Sequence, residues 1–317
     1  MSGPRWSSRG THDANVLPTG DSRQRLPDGS ASGRRHTCDH GRVNDDPKRF
    51  TQRIEGYQPL VDDDFDMAEL DPSIWLPYYL PQWAGRASSG ANYRIRDGCL
   101  ELFIAPEQRP WLPGVEGDLR VSSVQTGCFA GPIGSTIGQH RTSDELRVVE
   151  EQETVRLVTP TFAAIELRAR WTPVVGQMVA LWMIGFEDEP ERSAEICVCE
   201  IFGDEADRGR ALIGMGVHPF NDPCIEDDFE QVEATLDVGD WHDFAAIWTP
   251  DDVTFFVDDE PVKRVEQSPK YPMQLMLDIY DFEPPSPDRS SAPFLIDRLR
   301  VLQPRREEPS GRTVADV

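Results

Sequence analysis

Apolar and polar residues alternate along most of the middle of the chain. Tyr93-Arg-Ile-Arg96 and Cys99-Leu-Glu-Leu-Phe-Ile104 are two such runs around Asp97-Gly98. Alternation sends successive side chains to opposite faces of a strand, and Asp-Gly supplies the positive φ angles of a tight hairpin turn. Ala164-Ile-Glu-Leu-Arg-Ala-Arg-Trp171 alternates in the same way, one face in and one face out. Phe244 to Trp248 and Val253 to Val257 flank the turn Thr249-Pro-Asp-Asp252, a second hairpin in which Trp248 belongs to the core. Asp258-Asp-Glu260 turns the chain again toward Pro261-Val262, and Phe294 to Leu302 reads as a last strand. Helical periodicity is weak. Asp144 to Val158 is the one helix candidate, and its Val148-Val149 and Thr154-Val155 suit a strand as well. With 27 Pro and 24 Gly punctuating short runs, the pattern predicts an all-β sandwich or barrel.

Composition divides the chain. Residues 1–48 and 304–317 are too polar and too rich in Gly, Ser, Pro and charge to bury a core, so two disordered tails are expected around one domain at 49–303. The 317 residues include 32 basic and 56 acidic ones, a net charge of −24. Residues 1–49 hold nine basic and six acidic residues, a net +3, so the body carries −27. That argues against nucleic acid as a partner, because affinity for phosphate backbones comes from Lys and Arg. It also argues against an anionic membrane surface. The longest apolar stretch, Val174 to Phe186, is 13 residues and is too short to span a bilayer. As written, the first 49 residues show no apolar signal segment, which favours a cytoplasmic reading. The expected state is a monomer.

Cysteine adds little. Six residues (Cys38, Cys99, Cys128, Cys197, Cys199 and Cys224) are too few for a disulfide scaffold in a chain this long. Cys197 and Cys199 in one strand would face opposite ways. His36-Thr-Cys38-Asp-His40 could bind a metal, but nothing nearby would preorganise it, and a plain tail is favoured. The acidic run Glu226-Asp-Asp228 with Glu230 lacks the spacing of an EF-hand loop, so a solvated loop is favoured over calcium binding.

The candidate chemistry lies in Ala194-Glu-Ile-Cys-Val-Cys-Glu-Ile-Phe-Gly203. Two glutamates interrupt an otherwise apolar strand, and burying a carboxylate without a partner is costly. In a regular strand Glu195 and Glu200, five apart, face opposite ways; one extra residue near Val198–Cys199, a β-bulge, returns both to one face. Two carboxylates roughly 5–5.5 Å apart are the pair a retaining glycosidase uses, one as nucleophile and one as acid/base.

The segment resembles the Glu-x-Asp-x-x-Glu signature of glycoside hydrolase family 16, in its bulged laminarinase-like form. Several other pieces follow in the family's order: Asp64-Phe65 with Leu70-Asp71 and Trp75, the hairpin Asn92 to Leu100, Glu166 to Arg170 followed by Gly176 to Trp182, Trp241-His242 through Trp248-Thr-Pro-Asp251, Tyr271-Pro-Met273 to Leu277, and Ile296-Asp297. The resemblance implies a concanavalin A-like jelly-roll sandwich of two antiparallel sheets with a saccharide cleft and no cofactor. It implies Glu195 as nucleophile and Glu200 as acid/base. Trp182 would stack on a sugar ring, and Asn92 and His242 would line or border the cleft. The family is usually secreted, in tension with the missing signal segment. Three positions depart from its pattern: Cys197 replaces the middle Asp, Met178 replaces a cleft Trp, and Asp278 stands where Asn is usual. A thiol is a weak donor that could still bond Glu195. Trp182 also fits a core tryptophan, His242 also fits a structural histidine, and His140 and His218 receive no role. The expected function is a retaining glycoside hydrolase or transglycosylase cutting internal β-linkages of a neutral polysaccharide, a β-glucan or a galactan. The alternatives are a non-catalytic carbohydrate-binding protein on the same scaffold and a plain structural sandwich.

Overall fold

The computed structural model describes residues 54–286 and 291–305. The tail expected at residues 1–48, the His36–Cys38–His40 cluster and most of the second tail lie outside the described residues.

The chain runs through β1 (Tyr57–Asp63), two one-turn helices α1 (Pro81–Ala84) and α2 (Arg86–Ser89), β2 (Tyr93–Arg96), β3 (Cys99–Leu102), β4 (Arg120–Gln125), β5 (Gly127–Cys128) and β6 (Val155–Arg156). It continues with β7 (Ala163–Trp171), β8 (Gln177–Gly185), β9 (Glu195–Phe202), β10 (Ala206–Asp207), β11 (Arg210–His218) and β12 (Asp228–Ala234). It ends with β13 (His242–Trp248), β14 (Val253–Val257), β15 (Glu260–Val265), β16 (Met273–Asp281) and β17 (Phe294–Pro304). One eight-stranded sheet has the order β15-β14-β13-β7-β17-β3-β2, with β1 also on β17. A seven-stranded sheet has the order β10-β11-β9-β8-β16-β4, with β12 also on β11. All pairings are antiparallel, and the fold is the expected all-β jelly-roll sandwich.

The hairpins form where the pattern put them. Asp97 and Gly98 have φ of 54° and 69°, the left-handed pair a two-residue turn needs, and β2 pairs with β3 across them. Asp258 and Asp259 do the same between β14 and β15. Trp248 is fully buried.

The helix expected over Asp144 to Val158 does not form. Only β6 is regular there. Leu146 and Val148 are buried while Glu145, Arg147 and Val149 are exposed, a period of two rather than 3.6. Val148 is held extended by backbone bonds to Gly134 and Ser135, and Val149 by one to Gln82. Full burial of each of these two side chains, Leu146 and Val148, stabilises the segment by about 1.5–3 kcal/mol, more than a weak helical preference could oppose.

Two apolar clusters result. The larger fills the space between the sheets, with Ile165, Leu167 and Val301 facing Leu181, Ile196 and Leu277. The smaller lies on the other side of the seven-stranded sheet. There Met178, Ala180, Trp182 and Ile184 of β8 and Met276 and Tyr280 of β16 meet Tyr79, Leu80, Trp83, Trp111, Leu146 and Val148 from the connecting segments. The outer face of that sheet is therefore roofed rather than open.

Candidate active site

Strand β9 lies between β8 and β11. Against β8 its register runs Glu195 to Ile184 and Cys197 to Trp182, then shifts so that Cys199 meets Leu181 and Glu200 meets Ala180. Against β11 the shift falls between Gly216, opposite Cys197, and Gly214, opposite Glu200. Val198 is the extra residue, and this is the bulge that the five-residue spacing required. Glu195, Cys197 and Glu200 consequently share the roofed face with Trp182 and Ala180, while Cys199 turns into the sandwich core. Gly214 leaves room for Phe229 and Glu200 beside it. A Cβ there would stand 2.5 Å from the Phe229 ring and 3.2 Å from Cβ of Glu200.

Three carboxylates meet on this face. Glu195 is 4% exposed and Glu200 5%; Asp278 of β16, opposite both Ala180 and Ser123, is fully buried. Burial pushes the Glu200 carboxyl up to about 7, with Glu195 and Asp278 adding to the rise and the Cys197 thiol and His218 opposing it. Burial likewise raises Asp278 to about 7, against hydrogen bonds from Ser123, Trp182 and Tyr280. The Trp182 indole donates to Oδ2 of Asp278, and the Tyr280 hydroxyl donates to the same oxygen at 3.2 Å. Burial and the adjacent carboxylates hold the Cys197 thiol well above its usual range, so it stays protonated and donates to Glu200. The sequence had pointed that thiol at Glu195; the structure directs it to the other glutamate.

Beside Glu195 stands a histidine from the segment between β5 and β6. His140 Nδ1 lies 3.2 Å from Glu195 Oε1. Its ring stacks on Phe220 at 4.9 Å and meets the Trp182 ring edge-on at 5.0 Å. Its backbone N–H donates to Glu187 Oε1 at 2.5 Å. The preceding residue anchors the segment. The Gln139 carbonyl accepts from Gln82 and Trp83, and its side-chain amide donates to Gln274 at 2.7 Å.

A cavity of about 90 Å³ opens on this face, lined by Tyr79, Trp111, Glu116, Leu119, His140, Thr142, Met178, Trp182, Tyr280 and Phe282. Aromatic rings with a few polar groups form a lining that suits the apolar face of a sugar. Among the described residues, no group of three His, Cys, Asp or Glu side chains is arranged to hold a metal.

The structure thus brings together Glu195, Glu200, Cys197 and Trp182. It does not bring Asn92 or His242 to them. His242 is in the eight-stranded sheet, with Nδ1 2.6 Å from Asp258 and Nε2 3.0 Å from the Asp237 carbonyl, so both ring nitrogens are engaged in a structural corner. Asn92 donates from its side chain to Gln108, its backbone N–H donates to the Ser122 hydroxyl, and its carbonyl accepts from that hydroxyl. Ser122 alternates with Val121 and Ser123, which face the site, so Asn92 is tied to the opposite side of β4. Sequence reasoning gave no role to His140 and none to the aromatic rings Tyr79, Trp111 and Tyr280. Asp278 carried a readable signal, a charge inside the apolar run Leu275 to Tyr280. His140 carried none, since it reaches the site from a segment without periodicity.

Residues 157–291 match the family model described as glycosyl hydrolases family 16. No curated protein matches the chain. Among solved structures, a GlcNAcα1-4Gal releasing endo-β-galactosidase from Clostridium perfringens is 26% identical with a TM-score of 0.67. That match covers 82% of this chain and 65% of the other, so the chain spans just under two thirds of that relative. A non-specific endo-β-1,3(4)-glucanase from family GH16 is 16% identical, with a TM-score of 0.56 and coverage of 80% and 93%. An endo-1,3-β-glucanase (laminarinase) catalytic domain from Thermotoga petrophila is 17% identical, with a TM-score of 0.51 and coverage of 80% and 100%. The last two likenesses concern the fold.

Proposed function

We propose that this chain, whose residues 157–291 match glycosyl hydrolases family 16, is a retaining glycoside hydrolase that cuts internal β-linkages of a neutral polysaccharide. The observation that carries the reading is the unequal treatment of two glutamates on one bulged strand. Burial raises Glu200 to about 7 against the opposing bond from the neutral Cys197 thiol, so near neutral pH it keeps a proton to give. Glu195 faces a histidine nitrogen. In the first step Glu195 attacks the anomeric carbon, forming a glycosyl ester, while Glu200 passes its proton to the departing glycosidic oxygen. In the second step Glu200 takes a proton from water, the water oxygen attacks the same carbon, and Glu195 leaves. Trp182, Tyr79, Trp111 and Tyr280 offer ring faces and edges to the sugar. A 90 Å³ cavity is below the range of about 300–1,000 Å³ usual for ligand sites, so the cavity has to widen before a polymer can enter.

Three buried carboxylates and an acidic body disfavour sulfated or uronic chains. The relative at 26% identity is an endo-β-galactosidase, which inclines the choice toward β-galactosidic over β-glucosidic chains. The test is a screen of laminarin, lichenan, agarose and arabinogalactan for new reducing ends, with the anomer of the first product read by NMR. Retention with loss of all cleavage in Glu195→Gln is expected. An inverted product, or full activity in Glu195→Gln, sinks the proposal. Binding without product turns the reading to a carbohydrate-binding protein.

A further inference from the structure

The thiol of Cys197 is spent on Glu200, and among the described residues the one ion-pair neighbour of Glu195 is His140. Oε1 of Glu195 and Nδ1 of His140 are both buried, and neither has a hydrogen-bond partner, although they stand 3.2 Å apart. Buried polar atoms without partners are rare and costly. Here two of them face each other, short of alignment only by the rotation of a terminal group. Carboxylate torsions are broad, so that rotation is cheap on the Glu195 side. The histidine is also held on three sides: Phe220 against its face, Trp182 against its edge, and Glu187 on its backbone N–H, at a left-handed φ of 51°.

We propose that His140 is a positioning residue for Glu195: its Nδ1–H donates to Oε1 and holds the carboxylate turned for attack as the nucleophile. The inference rests on the glycosidase reading above for its catalytic meaning, and on geometry alone for the contact. Because the ring enters from the roofing segment, the nucleophile is completed only when that segment is seated. Glu187 and Asp278 are the other acidic groups around the ring, and they belong to different segments, so removing His140 leaves them in place.

The experiment uses the full chain in three forms: wild type, His140→Phe and His140→Asn. Phe keeps the stack on Phe220 and removes the donor. Asn restores an N–H near the Nδ1 position and tolerates the left-handed backbone. His140→Phe is expected to lower kcat by about 10²-fold with KM little changed, as misplacement of a reacting group does. His140→Asn is expected to recover most of that loss. Equal losses in both variants, or a change in KM alone, overturns the proposal. A second readout needs no activity. In protein labelled with ¹⁵N-imidazole, the Nδ1 resonance of His140 is expected to shift in Glu195→Gln and to shift less in Glu200→Gln. A resonance unmoved by Glu195→Gln overturns the proposal whatever the activity. A shifted resonance in a wild-type chain that cleaves no glycan sinks the glycosidase reading and leaves the contact standing.

Discussion

On the outer face of the eight-stranded sheet, Glu101 and Glu166 are as buried as Glu195 and Glu200 are on the other sheet. Their surroundings differ in kind. Glu101 is bonded by Arg94 and, at 2.8 Å, by Arg96; Glu166 lies 3.8 Å from Arg300, which also reaches Asp62 at 3.1 Å; Asp297 is bonded by Arg168. On the roofed face, among the described residues, Glu195, Glu200 and Asp278 have no Lys or Arg in ion-pair reach. Their partners are a histidine, a thiol, an indole and two hydroxyls. Guanidinium holds a carboxylate ionised and inert, whereas weak neutral donors in a dry site leave it able to exchange a proton near neutral pH. Burial alone therefore does not mark the site; what separates these two faces is whether a cation stands beside the buried acids.

The comparison can be broken most sharply with one substitution made on both faces. Glu200→Gln is expected to lower kcat by about 10²–10⁴-fold, the range for losing a general acid, while Glu101→Gln leaves kcat unchanged. Initial rates on a cleaved glycan check both, and a comparable loss in each would erase the distinction. Next comes pH. Because the acid must be protonated and Glu200 lies at about 7, activity should fall about tenfold per pH unit on the alkaline side of 7. An alkaline limb displaced far above that point would assign the proton to another group.

Stability should then change sign between the faces. The Glu200 carboxyl is raised from 4.5 to about 7 on folding, so its contribution is fully present below pH 4.5 and is lost as the pH rises to 7. At pH 8 Glu200→Gln is expected to stabilise by about 1–3 kcal/mol and at pH 4 to do little. Glu101→Gln at pH 8 is expected to destabilise by about 1 kcal/mol, since Arg94 and Arg96 are half exposed and partly screened. Urea midpoints at the two pH values measure all three effects. The smallest effect belongs to Asp278→Asn, with a gain of about 1 kcal/mol at pH 8. It has the same sign as Glu200→Gln because Asp278 too is raised to about 7, but a neutral amide oxygen accepts more weakly than a carboxylate from Trp182 and Tyr280.

Much of this was legible in the residues, for a physical reason. A period of two survives in β2, β3, β7, β13 and β14 because one face of each strand meets a core, and the Asp-Gly and Asp-Asp turns declare themselves by the backbone they require. The pair Glu195 and Glu200 was legible because charge in an apolar strand demands a cause. The roof was not. Leu146 and Val148 are buried by a segment with no partner strand along most of its length, so their alternation looked like a poor helix. His140 arrives on the same segment. His242 was placed at the cleft by the family resemblance, yet it stands in the other sheet, because a short motif around an aromatic hairpin does not say which sheet that hairpin joins. Asn92 was placed there on the same ground; its hairpin formed as expected, and its side chain bonds Gln108.

The bulge at Val198 also limits how this protein can vary. Loops between strands absorb insertions and deletions at little cost, and β9 can do so at the bulge alone. Deleting Val198 would leave a regular strand with Glu195 and Glu200 four residues apart, still on one face, and would keep Cys197 opposite Trp182 and Glu200 opposite Ala180. Deleting Ile196 with the bulge kept would instead turn Glu195 into the sandwich core. A lineage could therefore shed the bulge residue and keep both carboxylates together, but it could not shed Ile196 alone. Val198 lies in the core and has no part in either chemical step; it corrects the length of the strand rather than serving the site.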